Sequence, residues 1–206
     1  MEIEVKYIVQ DDFAKEKILE DKHLQSISCP DSREIINMEA VYFDTKELAL
    51  CKKEMALRVR YENGRPIATL KWGGGSEGSL HVRGELNVSV DETFAHRPHI
   101  DIFKGSDIYE ELGRIVGEDN LFPIMEMKCV RQQLKVDTGR SINVVSLDEG
   151  EIITPKGNTP ICELEVELYS GEKEDMIALG KELAVKYNLE EGIKSKFQRG
   201  LELLEL

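Results

Sequence analysis

The sequence predicts an α+β protein that is mainly antiparallel β and is built on one large sheet of eight strands. Charged and apolar residues alternate along much of the chain, as in "MEIEVKY" at its start, and this alternation has the period of a β-strand. Most of these segments follow one another through turns and not through crossover helices, so neighbouring strands are expected to run antiparallel. A sheet of this size tends to curl or to close on itself.

Composition and charge limit the classes of function. With 206 residues and 41% hydrophobic content the chain can bury a substantial core, and we expect one domain over residues 1–206. Forty acidic and 27 basic residues give a net charge of -13, which repels nucleic acid and anionic membranes. The sequence has no apolar run of about 18 residues and no basic, apolar leader, so we expect a soluble cytoplasmic protein. The four cysteines are scattered singly, which argues against a zinc site or a disulfide framework.

The first half of the chain is predicted to hold five strands and one helix. A short amphipathic helix begins near Asp11 and Asp12, either of which can cap it. Asn63 and Gly64 form a strong hairpin signal between the third and fourth strands. The glycine-rich residues 73–79 predict a mobile hairpin and not a phosphate-binding loop, because neither a Lys-Ser or Lys-Thr pair nor a helix follows them. The predicted strands cover residues 2–7, 38–45, 55–62, 66–72 and 80–90.

The second half is predicted to alternate between helices and three long strands. Apolar spacing predicts a helix within residues 101–119 and another over residues 173–188, and a short helix starts near Lys196 and ends the chain. The three strands cover residues 125–136, 141–150 and 161–170.

Charged side chains collect on one face of nearly every predicted strand, and the opposite face is aliphatic or aromatic. Two architectures fit this pattern: an open sheet that shows its charged face to solvent, or a closed sheet with the charges inside and helices outside. Periodicity alone leaves both open. The charged faces carry Glu2, Glu4, Lys6, Arg58, Arg60, Lys71, Arg83, Glu85, Arg131, Gln133, Lys135, Asp148, Glu163, Glu165 and Glu167.

The residue types on these faces favour phosphate chemistry. Most cations at the strand centres are arginines, whose rigid fork of donors matches phosphate oxygens. The carboxylates concentrate on the first and last strands, where two or three of them could bind a hard cation such as Mg²⁺ or Mn²⁺. Phosphoryl transfer requires both groups, because metal and cations together neutralise the charge on the transferring phosphate.

The E-x-E-x-K motif at Glu2, Glu4 and Lys6 resembles the signature of the CYTH superfamily, the triphosphate tunnel metalloenzymes. Further motifs in the family's order span almost the whole chain, and "SLHVRGELNVSV", "ICELEVELYSG" and "SKFQRG" are most similar to the bacterial inorganic triphosphatase branch. The other matching elements are "YFDT" (42–45), "LRVR" (57–60), "TLK" (69–71), the R-x-E of Arg83 and Glu85, Arg131, "LDEG" (147–150), "ELEVE" (163–167) and "SK" (195–196).

This resemblance implies a closed tunnel of eight antiparallel strands, with a charged lumen open at both ends and helices packed outside. It implies metal-dependent hydrolysis of inorganic triphosphate (tripolyphosphate) to pyrophosphate and phosphate, with Mg²⁺ or Mn²⁺ as cofactor. Water would attack the terminal phosphorus while guanidinium groups stabilise the charge on the nonbridging oxygens. A small-molecule triphosphate is the partner implied, and the oligomeric state, including a homodimer, is left open.

The resemblance also implies a role for each matching residue. Glu85 is expected to orient an arginine by ion pairing and not to bind metal. The catalytic residues would be Glu4, Lys6, Arg58 and Lys196. The phosphate chain would be bound by Lys6, Arg58, Arg60, Lys71, Arg83, Arg131 and Lys196. The metal would be bound by Glu2, Glu4, Asp148, Glu163, Glu165 and Glu167.

The sequence departs from many relatives in two places, and other functions on the same scaffold stay open. Asn87 stands where many relatives carry a second acid after the R-x-E, and the histidine-rich CHAD domain fused to some relatives is not expected within these residues. His81 is the one histidine expected near the cavity. The alternatives are a class IV adenylate cyclase, a thiamine or nucleoside triphosphatase, and a noncatalytic polyphosphate-binding module. A nucleotide enzyme would need a pocket for the base, and no segment obviously supplies one.

Overall fold

The computed structural model describes residues 1–206 and contains nine strands and six α-helices. The strands are β1 (Glu2–Ile8), β2 (Glu34–Asp44), β3 (Ala56–Glu62), β4 (Arg65–Glu77), β5 (Leu80–Ser89), β6 (Phe122–Asp137), β7 (Ser141–Thr154), β8 (Gly157–Gly171) and β9 (Glu190–Glu191). The helices are α1 (Asp12–Lys17), α2 (Lys22–Ile27), α3 (Glu92–His96), α4 (Tyr109–Val116), α5 (Lys173–Tyr187) and α6 (Lys196–Leu204). Short 3₁₀ segments lie at Ile18–Glu20, Cys51–Lys53 and Ile100–Phe103.

Eight of the strands close into an antiparallel barrel. They are ordered β5-β4-β3-β2-β6-β7-β8-β1, and β1 also pairs with β5, from Glu2 opposite Arg83 to Val5 opposite Leu80. This last pairing joins the two ends of the sheet, so no edge is left open around the barrel. The ninth strand, β9, extends the sheet beside β1. The closed architecture is therefore confirmed, and the open sheet is excluded.

Helices outside the barrel cover the apolar faces of its strands, so the charged faces point into the lumen. Under α1, α2 and α5, one core includes the fully buried Val5 of β1 and Leu164 of β8. Under α4 and Ile100–Phe103, a second core covers β3, β4 and β5. Burying one such side chain is worth about 1.5–3 kcal/mol. Successive residues of a strand point to opposite faces, so an outward Val5 places Glu4 and Lys6 in the lumen.

The C-terminal helix α6 differs from the other helices because it packs against the inner face of the barrel. The ring of Phe197 stacks on Tyr42 of β2, with 5.2 Å between the ring centroids. Gly200 lies so close to the wall that a Cβ atom there would come within 2.3 Å of the Met125 sulfur. The helix therefore occupies one end of the lumen, while the resemblance had implied a channel open at both ends.

Several predicted elements have different limits in the structure, for local reasons. The helix predicted to begin near Asp11 breaks at Asp21, whose side chain accepts hydrogen bonds from the backbone N–H groups of His23 and Leu24 and starts α2. The helix predicted within residues 101–119 is interrupted at Gly105, which has a φ of 93°. Neither α3 nor β9 was predicted. No helix combines the length and the apolar character needed to span a bilayer.

Candidate active site

The lumen contains a cavity of about 620 Å³ that collects charged side chains from almost every strand. Of the residues predicted to be catalytic or to bind phosphate or metal, all except Glu163 line it. Glu163 lies behind Lys196 and accepts a hydrogen bond from its ammonium group at 2.8 Å, and Gln133 and Lys135 of the charged faces lie outside the cavity lining. Glu4 and Lys6 are only 4% and 3% exposed, which reverses the usual placement of charge on a strand. The structure therefore brings the residues of the E-x-E-x-K motif together with the arginines of β3, β5 and β6.

One part of the cavity wall is a neutralised ion-pair cluster around Lys196, the first residue of α6. Its Nζ lies 2.9 Å from Asp148, 2.8 Å from Glu163 and 2.7 Å from Glu165. Burial alone would lower the pKa of Lys196, but these three carboxylates outweigh it and hold that pKa well above its usual value.

Two further cations complete this cluster. Arg131 donates to Asp148 at 2.7 Å and to Glu165 at 2.6 Å, and the Lys6 ammonium lies 2.9 Å from Glu165. Although burial raises the pKa of Glu165, the Lys196 and Lys6 ammonium groups and Arg131 hold it well below its usual range. Each carboxylate of the cluster thus already has a cation, and Arg199 adds a further donor to Glu163.

A second part of the wall carries excess positive charge. Arg58 is 8% exposed and forms no ion pair, and its neighbour Arg60 pairs only with Glu62. The Nε atoms of both guanidinium groups are buried without a hydrogen-bond partner. Burial and the adjacent Arg58 lower the pKa of Arg60 to about 10. Unpaired buried donors are costly, so this pair of arginines is suited to bind an anion that enters the cavity.

A third part of the wall carries excess negative charge. Glu167 lies directly opposite Glu4 across the β1–β8 ladder and forms no ion pair. Burial, together with the carboxylates of Glu2 and Glu4, raises the pKa of Glu167 to about 7. Burial also raises the pKa of Glu2, although the Lys71 ammonium lies 2.7 Å from it.

This acidic wall fits a divalent cation, although it is not a preformed metal cluster. No three His, Cys, Asp or Glu side chains of the chain are arranged as ligands around one point. The donors are hard carboxylate oxygens, which Mg²⁺ and Mn²⁺ prefer. A cation would offset the burial and the repulsion from Glu2 and Glu4 that raise the pKa of Glu167. Glu167 fits this role best because it has no cation partner. Glu2 and Glu4 lie beside it, although Lys71 pairs with Glu2 and Lys6 with Glu4, whereas Asp148, Glu163 and Glu165 belong to the neutralised cluster.

Between these walls, β4 and β5 contribute a hydrogen-bonded network. Glu85 is an ion-pair partner, but of Lys71 at 2.7 Å and not of an arginine as expected, and Asn87 donates to Glu85 at 2.5 Å. Thr69 donates to Asn87 at 2.7 Å, so the residue that departs from the family pattern lies between a hydroxyl donor and the Glu85 carboxylate. His81, also in the cavity wall, has a lowered pKa because of burial and the nearby Lys6.

Sequence reasoning missed two residues that shape this site. Arg199 lies three residues after Lys196 and therefore on the same side of α6, a spacing that could have indicated it. Tyr42 was recognised only as part of "YFDT", and its inward direction depends on the pairing of Tyr42 with Arg58 across β2 and β3. That register is set by the whole barrel and carries no local signal.

Comparison with known proteins agrees with this geometry. Residues 1–201 match the CYTH domain family. An inorganic triphosphatase from Haemophilus influenzae is 30% identical over 159 residues, which cover 77% of this chain and 44% of that protein. The chain therefore spans less than half the length of this relative.

Two solved structures share the fold at low sequence identity. A protein from Hippeastrum, described as a putative adenylyl cyclase with a dominant triphosphatase activity, superposes with a TM-score of 0.72 at 20% identity, covering 96% of this chain and 93% of its own. A putative adenylate cyclase from Bacillus halodurans gives a TM-score of 0.62 at 18% identity, covering 97% and 96%. With the closed barrel, the charged lumen and the match over residues 1–201, the chain belongs to the CYTH domain family.

Proposed function

We propose that this chain hydrolyses inorganic triphosphate to pyrophosphate and phosphate in its lumen, with Mg²⁺ or Mn²⁺ as cofactor. The observation that carries this proposal is the separation of unpaired charge across one cavity. The buried Nε atoms of Arg58 and Arg60 lack hydrogen-bond partners on one wall, and the Glu167 carboxyl forms no ion pair on the other. A bound triphosphate with its metal ion would complement both. The identity to the Haemophilus inorganic triphosphatase supports the substrate class.

In this proposal the cations of the wall bind the phosphate chain and stabilise charge on it. Arg58 and Arg60 present donors in the rigid fork that matches two phosphate oxygens. Buried donors act strongly because little water competes with them and because they need no reorganisation as charge develops. The remaining phosphate-binding residues proposed are Lys6, Lys71, Arg83, Arg131 and Lys196.

Glu2, Glu4 and Glu167 would hold the divalent cation, which when bound supplies Lewis acidity and lowers the pKa of a coordinated water. Asp148, Glu163 and Glu165 would act mainly by holding Lys6, Lys196 and Arg131 in place. Of the residues proposed as catalytic, Arg58 would contact the transferring phosphoryl group, Glu4 the cation, and Lys6 and Lys196 the end of the phosphate chain.

The cavity lining favours an inorganic substrate over a nucleotide. Tyr42 and Phe197 are stacked on each other, and the indole of Trp72 lies against Gly84, so each of these lining rings has one face covered and not offered to a base. A noncatalytic polyphosphate-binding module is less well supported, because it would not need the unpaired carboxylate of Glu167. We propose further that residues 1–206 form one domain and that the protein works in the cytoplasm, where its four free cysteines would stay reduced.

The decisive assay offers several triphosphates to the purified chain. Tripolyphosphate, ATP, thiamine triphosphate and long-chain polyphosphate are each incubated with Mg²⁺, Mn²⁺ or EDTA, and phosphate and cyclic nucleotide are measured. We expect metal-dependent phosphate release from tripolyphosphate to exceed that from ATP. Preferential formation of cyclic AMP would support a cyclase instead, and tight binding without turnover would support a binding module.

The variant Glu4→Gln tests the metal site within the same assay. It should lose metal-dependent turnover and keep its fold, since the amide is close in size to the carboxylate. The exposed Glu16→Gln, which removes a carboxylate far from the lumen, is the matched control and should retain full activity. Full activity of Glu4→Gln would remove Glu4 from the metal site.

A further inference from the structure

His81 is a buried histidine of the cavity wall that the mechanism above does not use. It lies on β5 directly opposite Glu4 of β1 and is 3% exposed. Both of its ring nitrogens have a partner. Nε2 lies 2.7 Å from the backbone oxygen of Gly192, and Nδ1 lies 3.2 Å from Nη2 of Arg83.

The chemistry of these two partners determines where the ring carries its proton. A carbonyl oxygen can only accept a hydrogen bond, so Nε2 must donate to Gly192. A guanidinium group can only donate, so Nδ1 must be the bare acceptor for Arg83. His81 is therefore a neutral imidazole of defined tautomer, held between a backbone carbonyl and a cation.

The hydrogen bond to His81 is the only one that the Arg83 guanidinium makes within the protein. The carboxylates of Glu2 and Glu4 lie farther away, at 3.6 and 3.9 Å. The direction of this guanidinium thus depends on the imidazole, and its remaining N–H groups stay free for a ligand in the cavity.

The Gly192 contact connects the same imidazole to the segment that leads into α6. The backbone N–H of Gly192 donates to the carbonyl of Lys6 at 2.9 Å, and four residues later the chain places Lys196 in the ion-pair cluster. A Cβ atom at position 192 would lie 2.6 Å from Cγ of Lys6, so only glycine allows this close approach. We call residues 190–195 the arm.

We propose that His81 is a positioning residue. It orients the Arg83 guanidinium toward the phosphate chain, and it connects that guanidinium to the arm, which leads to Lys196. This inference deepens the proposed function and rests on it. Because the ring nitrogens have separate partners, the two connections can be removed one at a time. His81→Asn can keep an acceptor near Arg83, His81→Gln can keep a donor toward Gly192, and His81→Phe removes both while filling the space.

Tripolyphosphate affinity and turnover of these variants test the role of His81. We expect His81→Phe to raise KM about tenfold, the equivalent of one hydrogen bond to a charged group, and to change kcat much less. His81→Asn should restore most of the affinity, whereas His81→Gln should resemble His81→Phe in KM. The exposed His96→Phe is the control and should match the unmodified chain.

A double-mutant cycle separates positioning from a general effect on folding. In an Arg83→Ala background, His81→Phe should change KM much less than in the unmodified chain, because only the connection to the arm is then left to remove. An equal effect of His81→Phe in both backgrounds would overturn the inference.

The tautomer is measured without any substrate, by ¹⁵N NMR of the labelled imidazole. We expect a protonated Nε2 and a bare Nδ1 whose resonance moves toward that of a free acceptor in Arg83→Ala. A protonated Nδ1 would also overturn the inference. If the unmodified chain neither bound nor hydrolysed tripolyphosphate, the proposed function would fail, and this NMR measurement would still decide whether His81 aims Arg83.

Discussion

Removing the unpaired carboxylate of Glu167 should stabilise the metal-free protein. The pKa of this group is about 7 in the fold, against 4.5 for the ordinary side chain. Between these values the folded chain keeps a proton that the unfolded chain has lost, so stability falls as pH rises through this window. At 1.36 kcal/mol for each unit, the ionised group costs roughly 3 kcal/mol above pH 7, and solvent screening of the half-buried side chain reduces this to about 1–3 kcal/mol.

The assay is urea unfolding in EDTA at pH 5 and pH 8 for the unmodified chain and for Glu167→Gln. The variant should be more stable by about 1–3 kcal/mol at pH 8 and nearly equal at pH 5. Adding Mn²⁺ should reverse the order at pH 8, because at 100 times its Kd a ligand adds about 2.7 kcal/mol and the amide binds it poorly. Glu16→Gln should follow the unmodified chain throughout. Equal stability of Glu167→Gln and the unmodified chain at pH 8 without metal would refute the reasoning.

Three further predictions concern phosphate binding, a buried aspartate and the inner helix. Arg58→Ala should lower kcat/KM for tripolyphosphate about 100-fold, and Arg58→Lys should recover part of it; equal activity of all three proteins would exclude a phosphate contact. Hydrogen bonds from Lys186 and Tyr187 overcome the effect of burial and lower the pKa of Asp21 to about 2, so Asp21→Asn should cost about 2 kcal/mol at pH 6. This difference in the free energy of unfolding should vanish as pH falls through the range from 3.8 to 2. A difference that stayed constant through this range would contradict the prediction. Gly200→Ala should destabilise the fold by about 1–3 kcal/mol and reduce turnover, because the added methyl group displaces α6. If the variant melted at the same temperature as the unmodified chain and kept its activity, the packing of Gly200 against Met125 would not be tight.

Much of the barrel could be predicted from the sequence because its strands alternate strictly. The pattern of charged and apolar residues on β1 and β8 gave the strands and the composition of each face. This pattern does not show which face points inward, because the alternation is the same in an open sheet and in a closed one. That decision depends on the long-range pairing of Glu2 with Arg83, which no local pattern contains.

The candidate site was predicted as a set of residues but not as a distribution of charge. The sequence places Glu163, Glu165 and Glu167 on one strand face without distinguishing among them. In the structure Lys196 reaches the first two from a helix inside the barrel, and Glu167 has no cation. The division between ion-pair partners and metal candidates thus depends on where α6 packs.

We propose that triphosphate and a divalent cation meet in the lumen, between the wall that carries Arg58 and Arg60 and the wall that carries Glu167. X-ray diffraction at the manganese edge, from crystals grown with Mn²⁺ and tripolyphosphate or a nonhydrolysable analogue, tests it most directly. We predict an anomalous peak bound by Glu2, Glu4 and Glu167, with phosphate density against Arg58 and Arg60. Manganese bound only outside the barrel, or phosphate density absent from the lumen, would contradict it.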